Sequence, residues 1–297
     1  MSQVSMEVVF GQVQQSIKTK KYYGALRQLL SISLQYSKNI TFLSYLSETQ
    51  LALQDFAGLI KTQLELIRQR GSIKDQFNLM RSYYKMNKRN EALDIGLQIQ
   101  AQNQELSDPL ECELSHILTK IYLEENDFEG AAEAILKAKF SESDDFLLWA
   151  QGVVYLNNDQ KFQALEYFRR AVQMNARNDQ AWVSLGLMHK EMGDEDLYLA
   201  NIEKAIDLNP FNASALKQIS LSVTRNKEKA NSAFERVRFY LSEYCFDEDI
   251  SMCHIQMLSQ VKHWSLAALE IDKLMFHQPE NQIFQNIKKA ICAEQNI

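Results

Sequence analysis

Proline is nearly absent from this sequence, with 3 in 297 residues, and glycine is scarce at 9. A chain so poor in turn formers is neither a disordered segment nor a β-sandwich with many tight turns. The four cysteines, Cys112, Cys245, Cys253 and Cys292, include no Cys-x-x-Cys pair. They read as reduced, partly buried thiols rather than a disulfide frame. No apolar run approaches the roughly 20 residues of a membrane-spanning helix. The amino terminus, MSQVSMEVVFGQVQQ, has no basic region and no long apolar core of a secretory signal. These absences predict a soluble, cytoplasmic protein, in which the sequons at Asn39 and Asn212 carry no meaning.

Signatures of chemistry are missing as well. There is no Gly-rich phosphate loop, no Gly-x-Ser-x-Gly elbow and no His-Glu-x-x-His. Cys253, His254, His263 and His277 fall near one another, but at spacings that match no standard zinc pattern. The remaining histidines, His116 and His189, stand apart from them. Carboxylates gather in short runs such as Glu124, Glu125 and Asp127, or Asp194, Glu195 and Asp196, where charge is normally solvated. The expectation is no catalysis, no cofactor and no metal.

What the sequence holds in quantity is helix-forming residues: Leu, Ala, Gln, Glu and Lys are abundant. Hydrophobic residues make up 46% and charged residues 24%, as in a folded domain. Length alone suggests about two domains. The formal net charge is −6, which disfavours nucleic acid as a partner. An RNA contact through Lys74, Arg81, Lys85 and Lys120 would weaken steeply with salt.

A repeat organises the chain. Gly152 and Gly186, Tyr155 and His189, Phe168 and Ile202, and Ala171 and Ala205 each stand 34 apart. Tyr122, Ala131, Ile135 and Ala138 match Tyr155, Ala164, Phe168 and Ala171 with a spacing of 33. Weaker copies pass through Tyr22, Ala25 and Leu29, through Leu46, Phe56 and Leu59, and through Leu79, Tyr83 and Ala92. Ala230, Phe234 and Val237 fit with a two-residue deletion, and Trp264, Ala267, Ile271, Leu274 and Pro279 close the series. Each copy reads as apolar helix, polar break, apolar helix. The copies begin near 6, 40, 73, 112, 145, 179, 213 and 248. One such pair cannot bury its apolar stripe alone, so copies stack on their neighbours. Small residues mark close helix approaches, and Pro210 and Pro279 end second helices. The segment 280–297 predicts a capping helix, with Ile283, Ile287 and Ile291 at helical spacing. AQNQELSDPLE, between the third and fourth copies, predicts a longer loop or a helix extension.

A helix pair of this length resembles the tetratricopeptide repeat. Trp182, Leu185, Gly186, Ala205 and Pro210 match its signature positions, with His189 for the usual Tyr and Tyr198 for a usual small residue. The resemblance implies an all-α, right-handed superhelical solenoid of about eight helix-turn-helix repeats, forming a single domain over 1–297. It also implies that ligands lie in a concave groove lined by the first helix of each repeat.

On that frame the third repeat presents Lys74, Phe77, Asn78, Arg81, Tyr84 and Lys85. The fourth presents His116 and Lys120. The fifth presents Phe146, Trp149, Val153 and Leu156, and the sixth presents Val183 and Leu187. Arg81 has the planar fork suited to a partner carboxylate, and Phe146 and Trp149 are the natural apolar anchors. Lys74, Asn78, Arg81 and Lys85 are similar to the clamp by which some family members grip a chaperone's terminal carboxylate. That clamp is split between adjacent repeats, whereas these four lie in one. Lys and Arg on a helix also serve simply as solvated surface.

The functional expectation is a non-enzymatic scaffold or adaptor that binds a partner protein or an extended peptide with acidic and apolar residues. The alternative is a structural unit that forms homo-oligomers through its ends, with Val8, Val9, Val13 and Ile17 leaving an apolar face exposed.

Overall fold

The computed structural model describes residues 6–102, 105–139, 141–222, 227–244 and 246–295. Among these it is helical throughout, without a strand. Cys245, the side chain of Ala230 and the last two residues of the expected capping segment lie outside the described residues.

The chain divides into two compact units, Met1–Lys139 and Phe140–Ile297. The first holds four antiparallel pairs: α1 (Met6–Lys18) with α2 (Tyr22–Tyr36), α3 (Ile40–Ala52) with α4 (Phe56–Arg70), α5 (Ile73–Lys85) with α6 (Arg89–Ala101), and α7 (Asp108–Glu124) with α8 (Phe128–Lys137). The second opens on a short 3-10 turn. It continues with α9 (Asp145–Asn157) and α10 (Lys161–Met174), α11 (Asp179–Glu191) and α12 (Glu195–Leu208), α13 (Ala213–Ser222) and α14 (Lys227–Glu243), and α15 (Glu248–Gln260) and α16 (Trp264–His277). A final helix, α17 (Gln282–Gln295), packs on α16. The fourth pair starts at Asp108, ahead of the 112 of the sequence frame. Pro109 in the first turn of α7 is suited to a helix start, because its missing N–H would find no partner there anyway.

The turn inside each pair is one device repeated. Lys20, Gln54, Asn87, Asn126, Asp159, Gly193 and Lys262 close the first helices with φ between 56° and 81°. The next residue's N–H then reaches back five positions, as Asp55 N does to Gln50 O and Gln160 N to Tyr155 O, both at 2.9 Å. This is the Schellman closure, which satisfies carbonyls left open at a helix end. Glycine suits the left-handed position best, yet it fills only one of these seven. The turn between α13 and α14 falls in 223–226, outside the described residues.

Helix starts are set by short polar caps. Asn39, Asp55, Ser72, Asp127, Asp144, Asn178, Asp194 and Asp247 each accept a hydrogen bond from a backbone N–H three residues on. In the second unit the caps also join neighbouring pairs. Asp145 accepts from the side-chain amides of Asn175 (3.1 Å) and Asn178 (2.8 Å). Asp179 accepts from Asn209 (2.8 Å) and Asn212 (2.7 Å). The two clasps are the same contact displaced by one repeat.

Packing follows the small and large residues. Ala25, Ala92, Ala131, Ala164 and Ala267 recur on the second helices and are fully buried. Gly152 faces Phe168 so closely that an added Cβ would lie 2.5 Å from the ring. Tyr198 fills the position where the repeat favours a small residue. It is buried, and its hydroxyl donates 3.1 Å to Gln218 O. Val9 and Val13 are also buried, packed with Ala25, Leu29 and Phe42, so they do not form an exposed apolar face. Only Val8 of that set is well exposed. No helix among the described residues is long and apolar enough to cross a membrane.

Candidate functional site

Lys74, Asn78, Arg81 and Lys85 follow one another on α5 at steps of four, three and four, which places them on one stripe of the helix. The stripe forms one wall of a cleft of about 650 Å³ in the first unit. The opposite wall comes from α3, through Ser44, Ser47, Glu48 and Leu51, and the floor from Gln63, Leu66 and Arg70 of α4.

The charges of the cleft divide into paired and open ones. Asp75 is 2% exposed and is held on three sides. Arg70 donates to it twice, at 2.8 and 2.6 Å, and Ser72 Oγ donates at 2.7 Å. Burial pushes the Asp75 carboxyl up, but the bonds from Arg70 and Ser72 outweigh it and hold the group below the usual carboxylate range. Arg81 grips Glu113 of α7 through Nε and Nη2 and donates a third bond to Asn78 Oδ1 at 3.0 Å. The Glu113 bond, foremost, raises the Arg81 guanidinium above its ordinary range. Arg81 therefore does not offer an open fork to an incoming carboxylate, contrary to the sequence expectation. Arg70 is exposed but paired, Lys74 and Lys85 are the exposed cations of the cleft outside those pairs, and Glu48 is its exposed carboxylate.

Phe77 departs from the expectation altogether. It is fully buried among Met80, Leu114 and Leu118 and belongs to the core between α5 and α7. Tyr84 and Lys120 meet beside the stripe, with the Lys120 ammonium 5.7 Å from the ring centre. The Tyr84 hydroxyl donates to Glu124 at 3.3 Å, and burial raises its pKa. His116 is half-buried on α7, its Nε2 3.7 Å from Cys112 Sγ.

In the second unit Phe146, Trp149, Val153 and Leu156 share α9 and are all half-buried. Phe146 and Trp149 are in ring contact at 5.6 Å, and the Trp149 indole N–H donates to Ser184 Oγ of α11 at 2.9 Å. Trp149, Val153 and Leu156 pack on the core around Phe168 and Leu185. The polar handle of Trp149 is thus used between repeats. Val183 is buried, and Leu187 is half-buried against the same core as Tyr198.

Sequence reasoning missed Arg70, Asp75 and Glu113. Glu113 had one signal: it lies 32 residues after Arg81, on the first helix of the next pair.

Residues 179–212 match the family model of the tetratricopeptide repeat. A stretch of 150 residues is 23% identical to anaphase-promoting complex subunit 3 of Schizosaccharomyces pombe, covering 48% of this chain but 23% of that protein. The chain thus spans less than a quarter of that curated relative. Among solved structures, a tetratricopeptide repeat protein from Parabacteroides merdae aligns over 85% of this chain and 98% of its own, with TM-score 0.60 and 13% identity. The anaphase-promoting complex hetero-tetramer Cut9–Hcn1 aligns over 86% of this chain and 50% of its own, with TM-score 0.57 and 12% identity. PilF of Pseudomonas aeruginosa aligns over 71% and 95%, with TM-score 0.54 and 11% identity. Identities this low speak to fold alone. Residues 179–212 are thus a tetratricopeptide repeat by sequence, set in a helix-pair fold shared with solved tetratricopeptide arrays.

Proposed function

We propose that this protein is a non-enzymatic scaffold that binds an extended, acidic segment of a partner protein along α5. The supporting observation is the cleft between α3 and α5, in which Arg70 and Arg81 are already paired while Lys74 and Lys85 stand open. The two lysines are 11 positions apart, so their Cα atoms lie about 16 Å from one another along the helix. An extended peptide covers that distance in about five residues. The fitting ligand carries two carboxylates at that separation, with the Asn78 side-chain N–H, whose Oδ1 is taken by Arg81, available to its backbone between them. In this reading the Arg81–Glu113 pair leaves the two lysines as the cations that meet the ligand. The half-buried aromatic face of α9 is a second, separate surface for an apolar segment of the same or another partner.

Selection from a random peptide library tests the reading. The expected result is enrichment of sequences with two Asp or Glu about five positions apart, lost on the Lys74→Glu/Lys85→Glu variant. Enrichment of neutral or basic peptides, or selection indifferent to the substitutions, would overturn it.

A further inference from the structure

Two apolar features far apart in the sequence are left largely exposed among the described residues. The first is a ridge on α2. Tyr23, Leu30 and Leu34 are 80%, 58% and 100% exposed. With Arg27 they follow steps of four, three and four, so the four side chains form one stripe of the helix. Core packing does not use this stripe: Ala25 and Leu29, on another face, are the fully buried residues of α2.

The second is a trough between α14 and α16, both of which pack on α15. Two clefts of about 950 and 620 Å³ share Leu241, Leu269, Glu270 and Lys273 and so run into one another. The walls expose Leu266 (51%), Leu269 (57%), Phe246 (62%) and Phe276 (82%). At the base, Glu270 is 7% exposed and receives Lys273 at 2.9 Å.

Charge distinguishes the two features in opposite senses. Between Glu7 and Glu48 the sequence has no Asp or Glu but has Lys18, Lys20, Lys21, Arg27 and Lys38, all exposed. From 231 to 280 there are eight Asp and Glu against four Lys and Arg. An acid-free segment carrying the apolar ridge is thus complementary to an acid-rich segment carrying the trough, whose own lining holds Glu235, Glu270 and Asp272 against Arg238 and Lys273. The lengths agree too, since the 15 residues of α2 and the 14 of α16 both span about 21–23 Å.

We propose that α2 of one copy lies in the α14/α16 trough of a second copy, with its ridge on Leu266, Leu269 and Phe276 and its basic flanks against the acidic surroundings. A helix seated in a groove between two others is a common mode of recognition. The contact is heterologous, so each copy keeps one free ridge and one free trough, and copies add head to tail.

Light scattering on the full chain over a range of concentration tests this. The mass should rise above 34.4 kDa at low salt and return toward it at high salt. Leu34→Glu, on the ridge, and Leu269→Arg, in the trough, replace exposed residues and should each hold the chain near monomer mass. Mixed together, the two variants should give a dimer and nothing larger, because one ridge and one trough remain. A constant monomer mass for wild type would overturn the proposal, as would growth that either variant leaves unchanged or a mixture that stays monomeric. A monomeric chain that instead binds anionic lipid vesicles through Tyr23, Leu30 and Leu34 would assign the ridge to a membrane surface and equally overturn it.

Discussion

Arg81 on α5 holds Glu113 on α7 through two guanidinium nitrogens, so the residue best suited to receive a carboxylate already has one. Both side chains are about one-third exposed, and such pairs contribute at most about 1 kcal/mol. Glu113→Gln should therefore leave the melting temperature nearly unchanged while freeing the fork. Affinity for an acidic peptide should rise, and peptide titration of both forms checks this. Unchanged affinity would place the peptide away from Arg81.

Asp75 ties stability of the first unit to pH. Its folded pKa lies below the unfolded value of 3.8. The stabilisation it gives is present above that value and is lost as pH falls through the folded pKa. Asp75→Asn should lower stability at neutral pH and flatten the loss in acid below about pH 4. Urea unfolding at several pH values separates the two effects.

The contact between Gly152 and Phe168 sets the spacing of α9 and α10. Phe168→Ala removes a fully buried ring and should cost about 3–5 kcal/mol. Gly152→Ala would bring a Cβ to 2.5 Å from that ring and should cost about 1–3 kcal/mol. At Gly186 the nearest atom, Ile202 Cδ1, is 3.0 Å from such a Cβ. Gly186→Leu should cost a similar amount, and thermal melts check all three.

The clasp on Asp179 provides a test of how the pairs are joined. Asp179→Ala leaves the amides of Asn209 and Asn212 without their shared acceptor. A loss of about 1–3 kcal/mol is expected in denaturant unfolding.

Much of the fold was legible because its determinants are local and periodic. Gly152 and Gly186, or Ala171 and Ala205, keep their spacing since each must meet the same neighbour in each copy. The turns were less legible, because backbone bonds rather than side chains close them, and Lys20, Gln54 or Lys262 can occupy a left-handed position. The site was legible as a stripe, not as a set of contacts. Phe77 lies three positions after Lys74, roughly 60° around the helix from it, and that rotation carries it into the core. Arg81 was found, but Glu113 was not, because which carboxylate meets it depends on how α7 lies against α5. The ridge on α2 was hidden for a simpler reason: Leu30 and Leu34 look like core residues until the neighbouring helices are in place.

The most direct test is fluorescence anisotropy with a labelled extended peptide bearing two glutamates about five residues apart. Wild type and the Lys74→Glu/Lys85→Glu variant would be compared at low and high salt, with thermal melts to show that both are folded. Binding to wild type that weakens at least about tenfold in the variant, a difference of about 1.4 kcal/mol, and weakens further with salt would support the basic cleft as the partner site. Equal affinity for both folded proteins would contradict it.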